Sequence, residues 1–442
     1  MDQKSLETFG KYLLLSKLGS GGMAEVFLAR PAISFGNGSL LAIKRVLPHV
    51  AGDPAFVRMF KSEIQVCLGL NHPHIVHIND FGEMNEQPYI AMEFIEGVNL
   101  KQLVAKFSEK GENLPIELAV SIATQAASGL HYAHSFVNSA TGECLKLVHR
   151  DISPQNLILS YEGNLKIIDF GIAKATSGLS EATQTGTLKG KVSYMSPEQV
   201  NMNKIDARSD IFSLGIVLWE MLTGRRLFSK SGDSEYRILE KILDCENSIV
   251  YPSLLNPKIP PSLDEIVMKA LTKDPAQRYQ TAAELQNDLR KYLFTSAPGY
   301  SYSDVGRAVN SAFGAEILAE RKKLRELNEA AQALLEQTVS LNIHYKPNAV
   351  AYPPPFVPPV APPLVLAKLG NQRVRASHLV MLAIYILSIV GIKLDEKYFF
   401  VERLIMPTEA VIRASNSSSS SLAERPLALK NTEHPNHGKQ RH

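Results

Sequence analysis

Two short polar loops in the middle of the chain constrain its fold more than any other feature. The first loop runs from His149 to Asn156 and includes Asp151, and the second, Asp169 to Gly171, begins thirteen residues after Asn156. Asp151, Asn156 and Asp169 carry carboxylate and amide oxygens, the groups that orient a hydroxyl or bind a hard divalent cation. Gly171 permits a tight backbone turn after Asp169. We therefore expect a fold that brings the two loops together.

A glycine-rich turn near the amino terminus is the second informative feature. It is formed by Leu18, Gly19, Ser20, Gly21 and Gly22, with Val26 four residues further on. Glycine lets backbone amides approach a phosphate, because a side chain there would hold the ligand away. Such a turn alone is more often only a turn, and Ala24 occupies the place of a third glycine. A β-like run that ends at Lys44 follows, 25 residues after Gly19.

Helical spacing downstream of Lys44 predicts a helix that carries Glu63. The apolar residues at this spacing are Phe56, Phe60, Ile64, Cys67 and Leu70. Glu63 on such a helix can pair with Lys44, and a charge pair of this kind fixes the direction of the lysine side chain. The alternative is a surface glutamate without a functional role.

Together these segments resemble the eukaryotic-like protein kinase superfamily, and the bacterial Ser/Thr protein kinases within it. Four further segments match family positions: Ala91 to Gly97, Ser196 to Glu198, Asp210 to Gly215 and Asp274 to Tyr279. The resemblance covers about two thirds of the chain. It implies an α+β, two-lobed protein kinase fold over residues 9–294, with a small β-rich N-lobe and a larger, mostly helical C-lobe.

The same resemblance implies ATP and Mg²⁺ as cofactors, with Mn²⁺ as an alternative metal, and proteins as substrates. It implies that Asp151 accepts the proton of the substrate hydroxyl and that Asn156 and Asp169 bind the metal. Lys44 would bind the α- and β-phosphates, with Glu63 as its partner.

Other matches refine the resemblance. Asp210 is expected to brace the backbone of the loop that carries the catalytic aspartate, and Arg278 is expected to pair with Glu198. Tyrosine kinases usually carry Ala-Ala-Arg or Arg-Ala-Ala after that aspartate. This chain has Ser153 to Gln155 in its place, which favours Ser/Thr specificity.

The resemblance also implies an adenine pocket in the segment that joins the two lobes. The residues that it assigns to the base are Val26, Ala42, Met92, Glu93, Ile95 and Ile158. Met92 is the gatekeeper, Glu93 and Ile95 bind the base through backbone groups, and the other three pack on its faces. The alternative for the apolar residues is plain core packing.

One position departs from the family pattern. Most Ser/Thr kinases carry a lysine two residues after the catalytic aspartate, whereas this chain has Ser153. A threonine usually occupies the position of Lys191, and the family fold places these two positions side by side. We therefore predict an exchange in which Lys191 stabilises the charge that develops on the γ-phosphate. The alternative is a Lys191 that points to solvent in a weak enzyme.

Activation is predicted to involve a phosphate on the segment after Gly171. Arg150 directly precedes the catalytic aspartate, and in kinases with this arginine such a phosphate docks onto it. The bacterial pattern predicts Thr183 and Thr185 as sites of autophosphorylation. The alternative is that both threonines are solvated loop residues.

Composition and charge narrow the partners, metal sites and cellular locations that we expect for the chain. The net charge of +3 gives no reason to expect a nucleic-acid partner. The three cysteines, Cys67, Cys144 and Cys245, are far apart and form no Cys/His cluster, which argues against disulfides and zinc and favours a reducing cytoplasm. Residues 1–11 are polar and lack the pattern of a signal peptide.

The region beyond the predicted kinase domain divides into four segments. Residues 303–342 show helical spacing, which predicts a helix packed on the kinase body, with a short coiled coil as the alternative and a homodimer as a further partner. Residues 346–366 form a Pro-rich linker or a docking site for a Pro-binding domain. Residues 376–392 contain no charged side chain and predict a single span of the inner membrane or a buried helix. Residues 398–442 are predicted to be disordered.

Two functional hypotheses from different classes follow. The first is an active Ser/Thr protein kinase in signalling, and the second is a pseudokinase or scaffold that uses the fold to bind nucleotide or partners. Degraded motifs mark the second class. Here all five groups are present: Lys44, Glu63, Asp151, Asn156 and Asp169. The sequence therefore favours an active enzyme.

Overall fold

The computed structural model describes residues 6–32, 39–138, 141–170, 192–230 and 232–344, all within the first of two units, Met1–Asn348. For Glu63, Val66 and residues 336–344 it describes the backbone alone. Several predictions concern positions outside the described residues: Gly171, Thr183, Thr185, Lys191 and the segments 346–366, 376–392 and 398–442.

The N-lobe contains a six-stranded antiparallel sheet. Its strands are β1 Glu7–Phe9, β2 Tyr12–Ser20, β3 Ala24–Pro31, β4 Leu41–Val46, β5 Ile78–Met84 and β6 Gln87–Glu93, in the spatial order β1-β2-β3-β4-β6-β5. Alternate residues of a strand point to opposite faces of a sheet. At the start of β2, Tyr12 and Leu14 pack into one apolar cluster, while Leu13 and Leu15 pack into another. Both faces of this strand are therefore buried.

Two helices connect β4 to β5. They are α1 Pro48–Ala51 and α2 Pro54–Cys67. Phe60 and Ile64 are buried in the main core, so α2 packs through the apolar face that its spacing indicates. Because α2 contains Glu63, the helix predicted around that residue is confirmed.

The C-lobe is mostly helical. Its described helices are α3 Leu100–Glu109, α4 Ile116–His134, α5 Pro197–Val200, α6 Ala207–Thr223, α7 Glu235–Leu243, α8 Cys245–Ser248, α9 Pro252–Leu255, α10 Pro261–Ala270 and α11 Ala282–Ser296. Helices α4 and α6 are buried over most of their length and form the centre of this lobe. Helix α6 is followed by Gly224, whose φ of 66° lies in the left-handed region that favours glycine.

A small three-stranded sheet lies between the lobe connection and the catalytic loop. Its strands are β7 Gly97–Asn99, β8 Leu157–Ser160 and β9 Leu165–Ile167, in that order and antiparallel. A Cβ atom on Gly97 would lie 2.3 Å from the Leu159 carbonyl oxygen, so only glycine allows this approach. The small β-rich lobe and the larger, mostly helical lobe that the resemblance implies are both present.

A buried ion pair ties the segment at Glu198 to the rest of the C-lobe. Arg278 Nη1 and Nη2 donate to Glu198 Oε1 and Oε2 at 2.7 and 2.8 Å, and Ser209 Oγ donates to Oε1 at 2.6 Å. Burial by itself raises the pKa of Glu198, but the hydrogen bonds and charge of Arg278 outweigh it and hold the pKa below its ordinary value. The predicted pairing of these two residues is confirmed.

The last described helix, α12 Tyr302–His344, extends beyond the helical C-lobe. One residue inside it, Phe313, has the non-helical angles φ −119° and ψ 18°, so two helical segments meet there at a kink. The first segment packs against α4, and the second reaches strand β2 of the N-lobe.

Within the described residues, we find no helix with the length and apolarity needed to cross a membrane.

Candidate active site

Asp151 and Asn156 are joined directly in the catalytic loop. The Asn156 Nδ2 group donates hydrogen bonds to the Asp151 carbonyl oxygen at 2.8 Å and to Asp151 Oδ2 at 3.1 Å. A short 3-10 helix, Pro154–Asn156, carries Asn156 and leaves it buried. Because the amide has little freedom to turn, this contact fixes the direction of the Asp151 carboxylate.

The backbone of this loop is held by a buried carboxylate on α6. Asp210 Oδ2 accepts from the His149 N–H at 2.7 Å, and Oδ1 accepts from the Arg150 N–H at 2.8 Å. His134 Nε2 lies 2.8 Å from the same Oδ2. Arg150 has a φ of 63°, a conformation that L side chains rarely adopt, so the loop depends on outside support. Asp210 provides that support.

His149 connects the two polar loops. Its Nε2–H donates to the Ile168 carbonyl at 3.0 Å, and its Nδ1 accepts from the Asp151 N–H at 3.2 Å, which assigns the neutral tautomer. Burial lowers the pKa of His149 and keeps the ring neutral. The ring also packs against Phe170, with centroids 4.7 Å apart. The predicted proximity of the two loops follows from these contacts.

Lys44 and Asp169 meet across the cleft between the lobes. Lys44 Nζ lies 2.6 Å from Asp169 Oδ1, and both side chains are partly exposed. Asp169 has a φ of 57°, so its backbone is in the left-handed region, as that of Arg150 is. The structure thus unites four of the predicted catalytic and metal-binding residues. Glu63 lies on α2, where only its backbone is described.

Most of the predicted adenine-pocket residues share one apolar cluster. Its members are Val26, Ala42, Val76, Met92, Ile95 and Ile168. Val76 and Ile168 were missed by the sequence analysis, although Ile168 directly precedes Asp169 and could have been found from that position. The Val76 N–H donates to the Ile167 carbonyl at 3.0 Å, a long-range contact without a local signal. Ile158 lies on β8 opposite Lys166, outside this cluster.

Glu93 is fixed at the end of β6, where the chain leaves the N-lobe. Its Oε1 accepts from Lys166 Nζ at 2.6 Å and from the His77 N–H at 2.8 Å. The Glu93 N–H donates to the His77 carbonyl at 3.0 Å. The Glu93 backbone is therefore held by His77, the residue before β5, and the Glu93 side chain is held by His77 and by Lys166 of β9.

The glycine-rich turn joins β2 to β3. The Gly21 N–H donates to the Ala24 carbonyl at 2.8 Å, and Gly19 pairs with Val26 across the strands. A Cβ atom on Gly19 would meet no described atom within 4 Å, and the nearest to one on Gly21 would be the Ala24 oxygen at 3.8 Å. Neither glycine has a positive φ. Packing and backbone conformation therefore do not require glycine here, whereas close approach of a ligand does.

The described residues contain no cluster of three or more His, Cys, Asp or Glu side chains that could hold a metal ion. Asn156 and Asp169 nevertheless fit Mg²⁺, which takes few protein ligands and keeps waters and phosphate oxygens. Asn156 turns its NH₂ group towards Asp151, and its Oδ1 then points away from that carboxylate. An amide oxygen and a carboxylate suit this cation.

Comparison with known proteins agrees with this geometry. The family model described as Protein kinase domain matches residues 12–289. The tyrosine-protein kinase MasK of Myxococcus xanthus is 39% identical over 322 residues, which are 73% of this chain and 49% of that protein. The serine/threonine-protein kinase PrkC of Bacillus subtilis is 39% identical over 283 residues, which are 64% of this chain and 40% of that protein. The chain thus spans about half the length of these curated relatives, or less.

A solved structure has the same fold. The crystal structure of a double mutant of the Mycobacterium tuberculosis PknI kinase domain aligns with a TM-score of 0.50 and 26% identity. The alignment covers 66% of this chain and 99% of that domain.

The contacts of Asp210 generate a first prediction. Asp210→Asn keeps the shape of the side chain but turns an NH₂ group towards one of the two backbone N–H donors. We expect the free energy of unfolding to fall by about 2 to 4 kcal/mol, because a buried donor loses its acceptor. Denaturant unfolding of the full chain measures this. Asp53→Asn is the matched control, since the exposed Asp53 side chain accepts from the Ala55 N–H and an asparagine side chain can do the same. Equal unfolding free energies would contradict the bracing role.

Proposed function

Because the chain belongs to the protein kinase family, we propose that it transfers the γ-phosphate of ATP to Ser and Thr hydroxyls of proteins. The observation that carries this proposal is the assembly of Lys44, Asp151, Asn156 and Asp169 around one cleft, linked through His149. A scaffold that only binds partners has no need for this complete set.

Each of these residues has a distinct task in the proposed reaction. Asp151 orients the substrate hydroxyl and accepts its proton, because Asn156 holds the carboxylate in place. Asn156 and Asp169 hold Mg²⁺, which neutralises charge on the phosphates when it is bound. Lys44 binds the α- and β-phosphates, and Glu63 on α2 directs the lysine. Mn²⁺ is an alternative metal for the same oxygen ligands.

The adenine base occupies the apolar cluster defined above. Val26 and Ala42 cover one face of the base, Met92 is the gatekeeper, and Ile158 approaches from the opposite lobe. The Glu93 N–H already donates to the His77 carbonyl, so the Glu93 carbonyl is the group that accepts a hydrogen bond from the base. The Ile95 backbone supplies the second hydrogen bond. Leu18 and the turn Gly19 to Gly22 cover the phosphates.

A second candidate activity is tyrosine phosphorylation. The M. xanthus relative that aligns with 73% of this chain is named a tyrosine-protein kinase. The relatives from Bacillus subtilis and Mycobacterium leprae are named serine/threonine-protein kinases, and the sequence Ser153 to Gln155 favours this class. We therefore place Ser/Thr specificity first.

The activation segment is proposed to carry autophosphorylation sites at Thr183 and Thr185. Arg150 supports this assignment, because its Nε is buried and has no hydrogen-bond partner among the described residues. A phosphate that docks onto a guanidinium forms charge-assisted hydrogen bonds and orders the segment that bears it.

The activity is tested with purified full-length chain, labelled ATP and Mg²⁺. We expect autophosphorylation on Ser and Thr, including Thr183 or Thr185, and a loss of about 10² or more in rate for Asp151→Asn, because the proton acceptor is removed. Phosphoamino-acid analysis and peptide mapping identify the acceptors. Phosphotyrosine alone would establish the second candidate, and full activity in Asp151→Asn would refute the proposed mechanism.

Lys191 is proposed to replace the lysine that the family usually carries at position 153. The Ser153 and Ser193 hydroxyls are both buried and find no hydrogen-bond partner among the described residues. A buried hydroxyl without a partner is unfavourable, so a polar group from the undescribed segment is expected beside them. The ammonium group of Lys191 suits both this pair of hydroxyls and the γ-phosphate.

Lys191→Met tests this exchange. We expect kcat to fall by about 10² to 10³ with little change in KM for ATP, because the lost charge acts on the transition state. Ser153→Lys in the same background restores a cation at the usual family position and is expected to recover activity. Unchanged turnover in Lys191→Met would exclude the exchange.

Residues 376–392 are proposed to anchor a cytoplasmic kinase domain in the inner membrane. The uncharged stretch and the basic residues Lys368, Arg373 and Arg375 before it support this assignment. Fractionation of the full chain should place it with the membrane, and a chain that ends at Lys368 should stay in the supernatant. The same distribution for both chains would contradict the anchor. A homodimer remains a further proposal for the partner.

A further inference from the structure

The first turns of α12 are attached to the C-lobe by close backbone contact. A Cβ atom on Gly163 would lie 2.1 Å from the Tyr302 carbonyl oxygen, and one on Gly306 would lie 2.9 Å from the Glu162 carbonyl carbon and oxygen. Asn310 Nδ2 also donates to the Tyr161 carbonyl at 2.6 Å. The helix is therefore seated on the β8–β9 turn at a site that admits only glycine on both sides.

The middle of α12 passes beside the connection between the lobes. After the kink at Phe313, Glu316 forms an ion pair with Lys106 of α3. Glu320 accepts a hydrogen bond from the Tyr161 hydroxyl. Arg321 Nε lies 3.7 Å from Glu96 Oε2, and Glu96 belongs to the short segment 94–96 through which the chain passes from β6 to β7.

The second half of α12 covers the outer face of the N-lobe sheet. Ala331 is fully buried against the apolar side chains Leu13, Leu15 and Leu28 of β2 and β3. Leu324, Leu327, Leu335 and Phe94 are partly buried around the same cluster. A sheet face that meets only water is usually polar, so these leucines require the helix as their cover.

A buried arginine adds a polar contact to this docking. Arg30 on β3 is 0% exposed, and its Nη1 donates to Asn328 Oδ1 at 2.8 Å. Its Nη2 donates to Gln332 Oε1 at 3.2 Å. Burial of a guanidinium is unfavourable unless its donors are satisfied, and α12 supplies two of the acceptors. The docked helix is therefore a defined arrangement rather than a loose apolar contact.

We propose that residues 314–335 of α12 are a positioning element for the nucleotide site. The helix is attached to both lobes and to the connection between them, and it holds β2 and β3 in place over the cleft. These two strands carry the glycine-rich turn and Val26, so release of the helix lets this part of the nucleotide pocket move. The inference rests on the proposed kinase function and goes beyond it, because it assigns control of ATP affinity to a segment outside the matched family domain, residues 12–289.

The size of the effect follows from the fraction of molecules in which the pocket is formed. Apparent affinity falls in proportion to that fraction when only the docked state binds well. Coupling between two such elements typically changes affinity by about 5- to 150-fold. We therefore expect a loss of at least about 5-fold in ATP affinity when docking is abolished.

Ala331→Glu in the full chain tests the proposal, because it places a charge in the buried contact. Ala333→Glu is the matched control, since Ala333 lies on the exposed side of the same helix. For both variants we would measure the Kd of Mg-ATP, KM against kcat, and hydrogen exchange of residues 12–31 and 320–344. We expect weaker ATP binding, a higher KM and faster exchange in Ala331→Glu alone, with the C-lobe remaining protected from exchange. A merely structural helix would change stability without this shift in Kd.

Milder substitutions keep the proposal testable if Ala331→Glu does not fold. Asn328→Ala removes one acceptor of Arg30 and should weaken ATP binding in the same direction. Asn328→Asp keeps an acceptor and adds a charge opposite Arg30, so affinity should match or exceed that of the unaltered chain. Equal Kd values in all variants, together with faster exchange of the helix, would overturn this inference alone. An unaltered chain that binds no ATP would overturn the proposed function as well.

Discussion

The candidate active site depends on one buried carboxylate. Asp210 accepts hydrogen bonds from two consecutive backbone amides of the catalytic loop, and one of these residues, Arg150, is in a left-handed conformation. Without such an acceptor, the buried amides would favour another backbone path, and Asp151 would leave its place beside Asn156. His149 then links this loop to the second polar loop through its hydrogen bond to the Ile168 carbonyl. The geometry of the cleft therefore depends on hydrogen bonds of Asp210 and His149, which are not among the candidate catalytic and metal-binding residues.

The sequence predicts the fold and much of the site because the chemistry demands fixed residue types at fixed spacings. Asp151, Asn156 and Asp169 are recognisable for this reason, and the two-lobed fold follows from the family they resemble. Contacts between residues that are far apart in the sequence leave a weaker signal in that sequence. Val76 packs in the apolar cluster and its N–H donates to the distant Ile167 carbonyl, but the residues next to Val76 in the sequence do not indicate that position.

The docking site of α12 shows the same limit in a different way. Helical spacing over residues 303–342 predicts an apolar face but does not specify the surface that receives it. The receiving surface has a local signal, the unbroken apolar run Tyr12 to Leu15, which buries both faces of a strand. Recognition of the contact requires both signals to be read together. Arg30 is the least predictable residue, because an isolated arginine in a strand is ordinarily exposed.

The cover that α12 provides has a consequence for how the chain folds. Arg30 and Gln332 are separated by 302 positions in the sequence, so the outer face of the first strands is completed only when the helix has been synthesised. Until then, Leu13, Leu15 and Leu28 form an uncovered apolar strip on a sheet that has already emerged from the ribosome. Contacts of such high sequence separation form late and slowly. A fragment cut at the end of the matched domain keeps that strip permanently bare, which makes it prone to self-association.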